Sequence, residues 1–176
     1  MWIQAGRRTR LTVIAASLAV TLAVPAAVSA DTTQPPPTIF PAESRGATVA
    51  VSTRATITAK LIATIGADIT CQPFEMFDWE TGETVLSTEG QLEFTEADLL
   101  QVSGRAINWG SAPAASPGSV VCDGTTVTHV TFSVTPQNLP WKAGAAVVGV
   151  RIQVVPPDFS TSDFASSGAI EIRLSK

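Results

Sequence analysis

The sequence predicts an all-β protein, an antiparallel β-sandwich of about seven to nine short strands with one disulfide. Three observations carry that prediction. Apolar residues recur at every second position in several segments, turn-forming residues punctuate the chain at short intervals, and helical periodicity is almost absent.

The elements follow in order. Arg7, Arg8 and Arg10 form a basic start, followed by an apolar run from Leu11 to Val24, then Pro25, then Val28-Ser29-Ala30. This is the layout of a secretory signal peptide over residues 1–30, with cleavage expected between Ala30 and Asp31. The 14-residue apolar run is shorter than the roughly 20 residues a membrane-spanning helix needs. Arg7-Arg8 admits twin-arginine as well as general export, although Arg10 stands where the former prefers an apolar residue. Residues 31–45, with Pro35-Pro36-Pro37, read as a disordered leader, and 46–176 as one domain.

From Val49 the alternation is long. Val49, Val51, Ile57, Ala59, Leu61, Ala63, Ile65, Ala67, Ile69 and Cys71 share one parity, and the other is largely Thr, Ser, Arg, Lys and Asp. At ~3.3 Å per residue such a run exceeds the width of a domain, so a break is expected near Thr53–Ala55 and a bulge or bend at Gly66. Thr84–Ser87, Gln91–Phe94 and Val102–Trp109 read as further strands. Thr95–Leu100 has the makings of a one-turn helix, with Thr95 as cap and Asp98 reaching back. "GSAPAASPGS" reads as a small-residue loop, and Thr128, Val130, Phe132 and Val134 point inward before Pro136. Val148, Val150, Ile152 and Val154 form another strand, "PPDFSTSDFASSG" a long polar loop, and Ile170, Ile172 and Leu174 the last strand.

Composition narrows function. Cleavage would leave eight basic residues against fifteen acidic, and eight of the acids lie between Glu75 and Asp98. A chain this acidic repels phosphate backbones, so nucleic acid is not an expected partner. Two cysteines in an exported chain are expected to be oxidised to each other as Cys71–Cys122.

Cys122, Asp123 and His129 invite a catalytic reading that geometry opposes. If residues 122–129 are one strand, thiol and imidazole are ~20 Å apart on opposite faces. If Asp123-Gly124 makes a two-residue hairpin turn, Cys122 pairs with Thr125 and His129 returns near Gly118. Neither arrangement joins them, and His129, out of phase with Val130 and Phe132, is expected in solvent. No G-x-S-x-G elbow supports a serine hydrolase, no zinc ligand set is present, and no acidic pair stands out for a glycosidase. Asp78, Glu80 and Glu83, grouped around Thr81-Gly82, are candidate calcium ligands. Trp79, Trp109 and Trp141, near turns, are candidates for stacking on a ligand or packing the sandwich, and Phe159 and Phe164 mark an adaptable contact loop.

"VVCDGTTVTHVTFSVTP" and "WKAGAAVVGVRIQV" resemble a family of small secreted bacterial proteins of unknown function. The resemblance spans roughly residues 47–154. It rests on Cys122-Asp123-Gly124, Val134-Thr135-Pro136 and Trp141-Lys142-Ala143-Gly144-Ala145, with Cys71 as the matching upstream cysteine. It implies an immunoglobulin-like sandwich with that disulfide and brings no catalytic residue. The antibody type fits less well, since a chain without tyrosine cannot form a tyrosine corner. The expected function is a secreted, monomeric, non-catalytic interaction module without cofactor, contacting extracellular protein or cell-envelope material through its loops. The alternative is a small-ligand or carbohydrate binder using the tryptophans; a hydrolase ranks below both. Nucleic acid and, after cleavage, membrane are not expected partners.

Overall fold

Strands form wherever the alternation can bury one face. The computed structural model describes residues 35–114 and 118–176. The expected signal peptide, its cleavage site and residues 31–34 of the leader lie outside them. The described residues hold thirteen strands and no helix. These are β1 (Ala42–Arg45), β2 (Ala47–Val51), β3 (Arg54–Thr58), β4 (Ile62–Cys71), β5 (Phe74–Asp78), β6 (Glu83–Ser87) and β7 (Glu89–Ser103). After them come β8 (Ala106–Pro113), β9 (Ser119–Val121), β10 (Thr128–Val134), β11 (Gly144–Val155), β12 (Asp163–Ser167) and β13 (Ile170–Ser175).

Two long strands organise the fold. β4 pairs antiparallel with β10 on one edge and with β2 and then β3 on the other. β11 pairs with β7 on one edge and with β12 and β13 on the other, and β7 also carries β8 and β9. The parallel contact of β3 with β13 joins the two halves. Ala63, Ile65, Ala67 and Ile69 of β4, Val130, Phe132 and Val134 of β10, and Val148, Val150, Ile152 and Val154 of β11 meet in one core. The alternation is therefore explained by burial of a single face, as in any half-buried sheet. The Cys71–Cys122 disulfide lies inside this core.

The thirteen strands exceed the expected seven to nine, in part because two lines are interrupted. β2 and β3 follow one edge of β4 and are parted at Ser52-Thr53, where the sequence called for a break. β12 and β13 follow one edge of β11 and are parted at Gly168, whose φ is +68°. β5 and β6 form a separate two-stranded hairpin.

Several local expectations are corrected. Thr95–Leu100 is not helical but lies within β7, because pairing with both β11 and β8 outweighs its capping residues. Val102–Trp109 is not one strand: β7 turns at Gly104, φ +64°, and returns as β8. Gly66 keeps regular register with Thr131, and the His129 ring occupies the space where a side chain would stand. The bulge falls instead opposite Gln153/Val154, in the β7–β11 ladder. Ala59 and Leu61 leave the alternation to form the β3–β4 turn and are exposed. The leader is ordered from residue 42 as β1, paired with β12. The polar loop after Val155 ends early, since Asp163–Ser167 is β12. Much of the small-residue segment is β8. At Gly110 an added Cβ would stand 2.1 Å from the Thr135 carbonyl oxygen, so the backbones approach too closely for a side chain.

Candidate functional site

The β10–β11 connection, residues 135–143, builds the site. It has no strand pairing of its own, so its backbone groups need partners from elsewhere. Two buried side-chain amides supply them. Asn108 of β8 donates through Nδ2 to the Leu139 carbonyl and accepts the Leu139 amide at 3.2 Å. Gln101 of β7 donates through Nε2 to the Lys142 carbonyl at 2.7 Å and accepts the Lys142 amide at 3.0 Å. Each amide thus satisfies a donor and an acceptor of the loop, as a neighbouring strand would. Trp141, 1% exposed, completes the anchorage: its Nε1 donates to the Val134 carbonyl at 2.9 Å and its backbone N–H to the Lys60 carbonyl at 3.0 Å.

That last bond ties the loop to the β3–β4 turn. Leu61 N–H donates to the Thr58 carbonyl at 3.0 Å, and the two central residues, Ala59 and Lys60, have φ of +51° and +61°. Positive φ at both centres is the type I′ geometry that Asn-Gly adopts with little strain, whereas Ala and Lys pay for it with Cβ crowding. Between turn and loop lies a cavity of about 720 Å³, lined by Ile57, Ala59, Lys60, Pro140, Trp141, Lys142, Ala143 and Lys176. Its walls are mainly apolar and carry no acidic side chain. Every lysine of the chain is at this site. Lys142 Nζ donates to Ser103 Oγ at 2.7 Å, which leaves two of its three donors free. Preformed, mostly apolar concavities of ~300–1,000 Å³ with a few polar groups are the usual form of a ligand site.

The sequence-derived candidates are distributed elsewhere, Trp141 excepted. Trp109 is 8% exposed and lines a concavity together with Pro35 and Pro37. Trp79 is 88% exposed at the end of the β5–β6 hairpin, edge-on to Phe77 at 4.7 Å. Asp78, one of the candidate calcium ligands, uses its carboxylate within the turn. Its Oδ1 accepts the Glu80 amide at 2.8 Å, which holds its carboxyl below the ordinary range. Among the described residues no group of three or more His, Cys or acidic side chains is placed to hold a metal ion. Phe159 is exposed with φ +57°, and Phe164 lies in β12 with Arg45 5.9 Å above its ring.

The group formed by Cys122, Asp123 and His129 separates into three structural parts. Neither proposed geometry of residues 122–129 occurs. Cys122 N–H donates to the Thr88 carbonyl and Gly124 N–H to the Cys71 carbonyl, each at 2.8 Å. Asp123 Oδ1 accepts the amides of Thr125 at 2.7 Å and Thr126 at 2.6 Å, so its side chain closes the turn instead of a hairpin ladder. His129, in solvent as expected, pairs across strands with Asp68, Nδ1 to Oδ1 at 2.8 Å. The bonds to Asp123, led by the Thr126 amide, hold its carboxyl well below the ordinary 3.8. A depressed folded-state value contributes stability above the ordinary value, and that contribution is lost as pH falls below it. Asp123→Ala is accordingly expected to flatten the acid limb of the stability curve between about pH 5 and about pH 2, leaving the slope above pH 5 unchanged. Urea midpoints of both proteins across that range test it, and parallel acid limbs would refute it.

A second polar group lies on the outer face of β7 and β11. Arg151 reaches Glu96 through Nη2 and stands 3.8 Å from Asp98, whose other oxygen accepts the Ser111 hydroxyl at 2.5 Å. Phe40 covers Arg151, with its ring centre 4.4 Å from Cζ. Glu96 and Asp98 are thus engaged with one arginine, an ion-pair network that explains why an acidic residue can be buried here.

Sequence reading missed Asn108, Gln101 and the lysines. Comparison with protein-family models, characterised proteins and solved structures finds no match to this chain. Among the described residues no helix is long and apolar enough to cross a membrane.

Proposed function

We propose that the protein is a secreted, non-catalytic binding module, immunoglobulin-like in fold, that takes extracellular material at its end loops. The cavity between the β3–β4 turn and residues 140–143 is the binding site. The observation that carries this reading is the rigid construction of that cavity: two buried amides and one buried tryptophan hold a strandless loop against a strained turn. Strain retained where a different residue pair would remove it is characteristic of functional sites. The disulfide supports an oxidising, extracellular setting. Stacking on glycans through Trp109 and Trp141 loses support because neither indole offers a free face, which leaves Trp79 alone for that role.

A neutral apolar probe tests the site. Titrating 1-octanol into isotopically labelled protein is expected to shift the amides of residues 57–61 and 141–143. Shifts confined to the β5–β6 hairpin, or absent altogether, would place binding elsewhere and reject the cavity.

A further inference from the structure

The lysines specify what the cavity takes. The mature chain would carry fifteen acidic and eight basic residues, and only three of the basic ones are lysines: Lys60, Lys142 and Lys176. All three line one concavity, whose remaining walls are Ile57, Ala59, Pro140, Trp141 and Ala143. In an acidic protein, a cationic rim around an apolar floor is a local inversion of charge. It attracts an anion that the rest of the surface repels.

Lys60 sharpens the point. It occupies the second central position of the type I′ turn, where the backbone favours glycine, with φ +61°. The Trp141 amide bonded to its carbonyl at 3.0 Å fixes that backbone at the cavity mouth. A lysine there keeps Cβ strain and puts an ammonium at the rim. Lys142 is fixed in the same way, by Gln101 at its backbone and Ser103 at its Nζ. The backbones of both lysines are therefore held by the fold beside the apolar floor.

We infer, building on the cavity as the binding site, that its ligand is a free amphiphilic anion. The apolar body lies against Ile57, Pro140 and Ala143, and a carboxylate or similar head group meets Lys60 and Lys142. A membrane surface carries the same chemistry, but the acidic chain as a whole is repelled by an anionic bilayer, which favours the monomeric amphiphile.

Three probes with an eight-carbon chain and different charge decide the matter: octanoate, 1-octanol and octyltrimethylammonium, each titrated while the amides of residues 57–61 and 141–143 are followed. Octanoate is expected to bind roughly five- to tenfold more tightly than 1-octanol, and the cation more weakly than either. The double variant Lys60→Met/Lys142→Met should abolish the preference for octanoate over 1-octanol, so that the anion binds no more tightly than the alcohol. Amide shifts of the variant that match wild type outside residues 57–61 and 141–143 show that it is folded. Equal affinity of wild type for octanoate and 1-octanol would overturn the anionic ligand while the cavity stands. No response to either would overturn the cavity with it. Co-sedimentation of wild type with phosphatidylglycerol vesicles, lost in the double variant, would assign the lysines to a lipid surface and reject the free amphiphile.

Discussion

A chain in which Cys71 and Cys122 are both alanine is expected to lose about 4 kcal/mol of unfolding free energy. The bond spans 51 residues, and closing a loop of that length removes roughly this much conformational freedom from the unfolded chain. Close to Cys122 few other contacts hold the enclosed segment. β9 has only three residues, and after it Cys122 and Gly124 each contribute one backbone hydrogen bond, to Thr88 and Cys71. Packing adds to the loss. Both sulfurs are buried, and the bond fills space against Gly90, where an added Cβ would stand 2.8 Å from Cys122 Sγ. For a domain with a total stability of about 5–15 kcal/mol, this is a large fraction. Urea unfolding of the oxidised wild type and the double variant measures it. A loss below about 1 kcal/mol would mean that the strand pairing of β7 and β9 localises the segment without the bond, which then contributes little.

The parts of this fold that were legible in the sequence are those where one side of a strand is buried and the other is wet. Ala63, Ile65, Ala67, Ile69 and Cys71 alternate with polar residues and are all buried, as the pattern required. The pattern failed where that condition failed. β7 carries Asp98 on its outer face, but Arg151 and Ser111 engage the carboxylate and Asp98 is nevertheless buried. Polar residues facing a covered surface look like the polar side of a short helix. Ala59 and Leu61 kept the parity of their neighbours, yet they belong to a turn whose residues lack the usual turn chemistry. Asp123-Gly124 has that chemistry, but Asp123 uses its side chain to close the bend, so β10 pairs with β4 and not with β9. The cavity had no local signal, because its lining comes from residues 57, 59, 60, 140–143 and 176, and the amides that brace it come from positions 101 and 108. One global cue was present: the chain has only three lysines, and their scarcity makes their convergence informative.

Trp141→Ala is expected to destabilise the protein by about 3–5 kcal/mol, an effect comparable to losing the disulfide. The indole is 1% exposed, so its removal empties a volume bounded by core residues and by the loop it anchors. Its Nε1 proton is also the partner of the Val134 carbonyl, at the end of β10, which would be left buried without it. Trp141→Phe separates the two contributions: it keeps most of the apolar packing and removes only the hydrogen bond, for an expected loss of about 1–3 kcal/mol. The pair also discriminates between stability and site construction. In Trp141→Ala the backbone bond from residue 141 to Lys60 has no ring to hold its geometry, so the β3–β4 turn is expected to relax and the 1-octanol response at residues 57–61 to disappear. In Trp141→Phe the aromatic floor remains and that response should persist. Chemical denaturation supplies the energies, and the same amide titration supplies the second readout. If Trp141→Ala binds 1-octanol as wild type does, Trp141 is a core residue that merely borders the cavity, and the rigidity of the site rests on Asn108 and Gln101 alone.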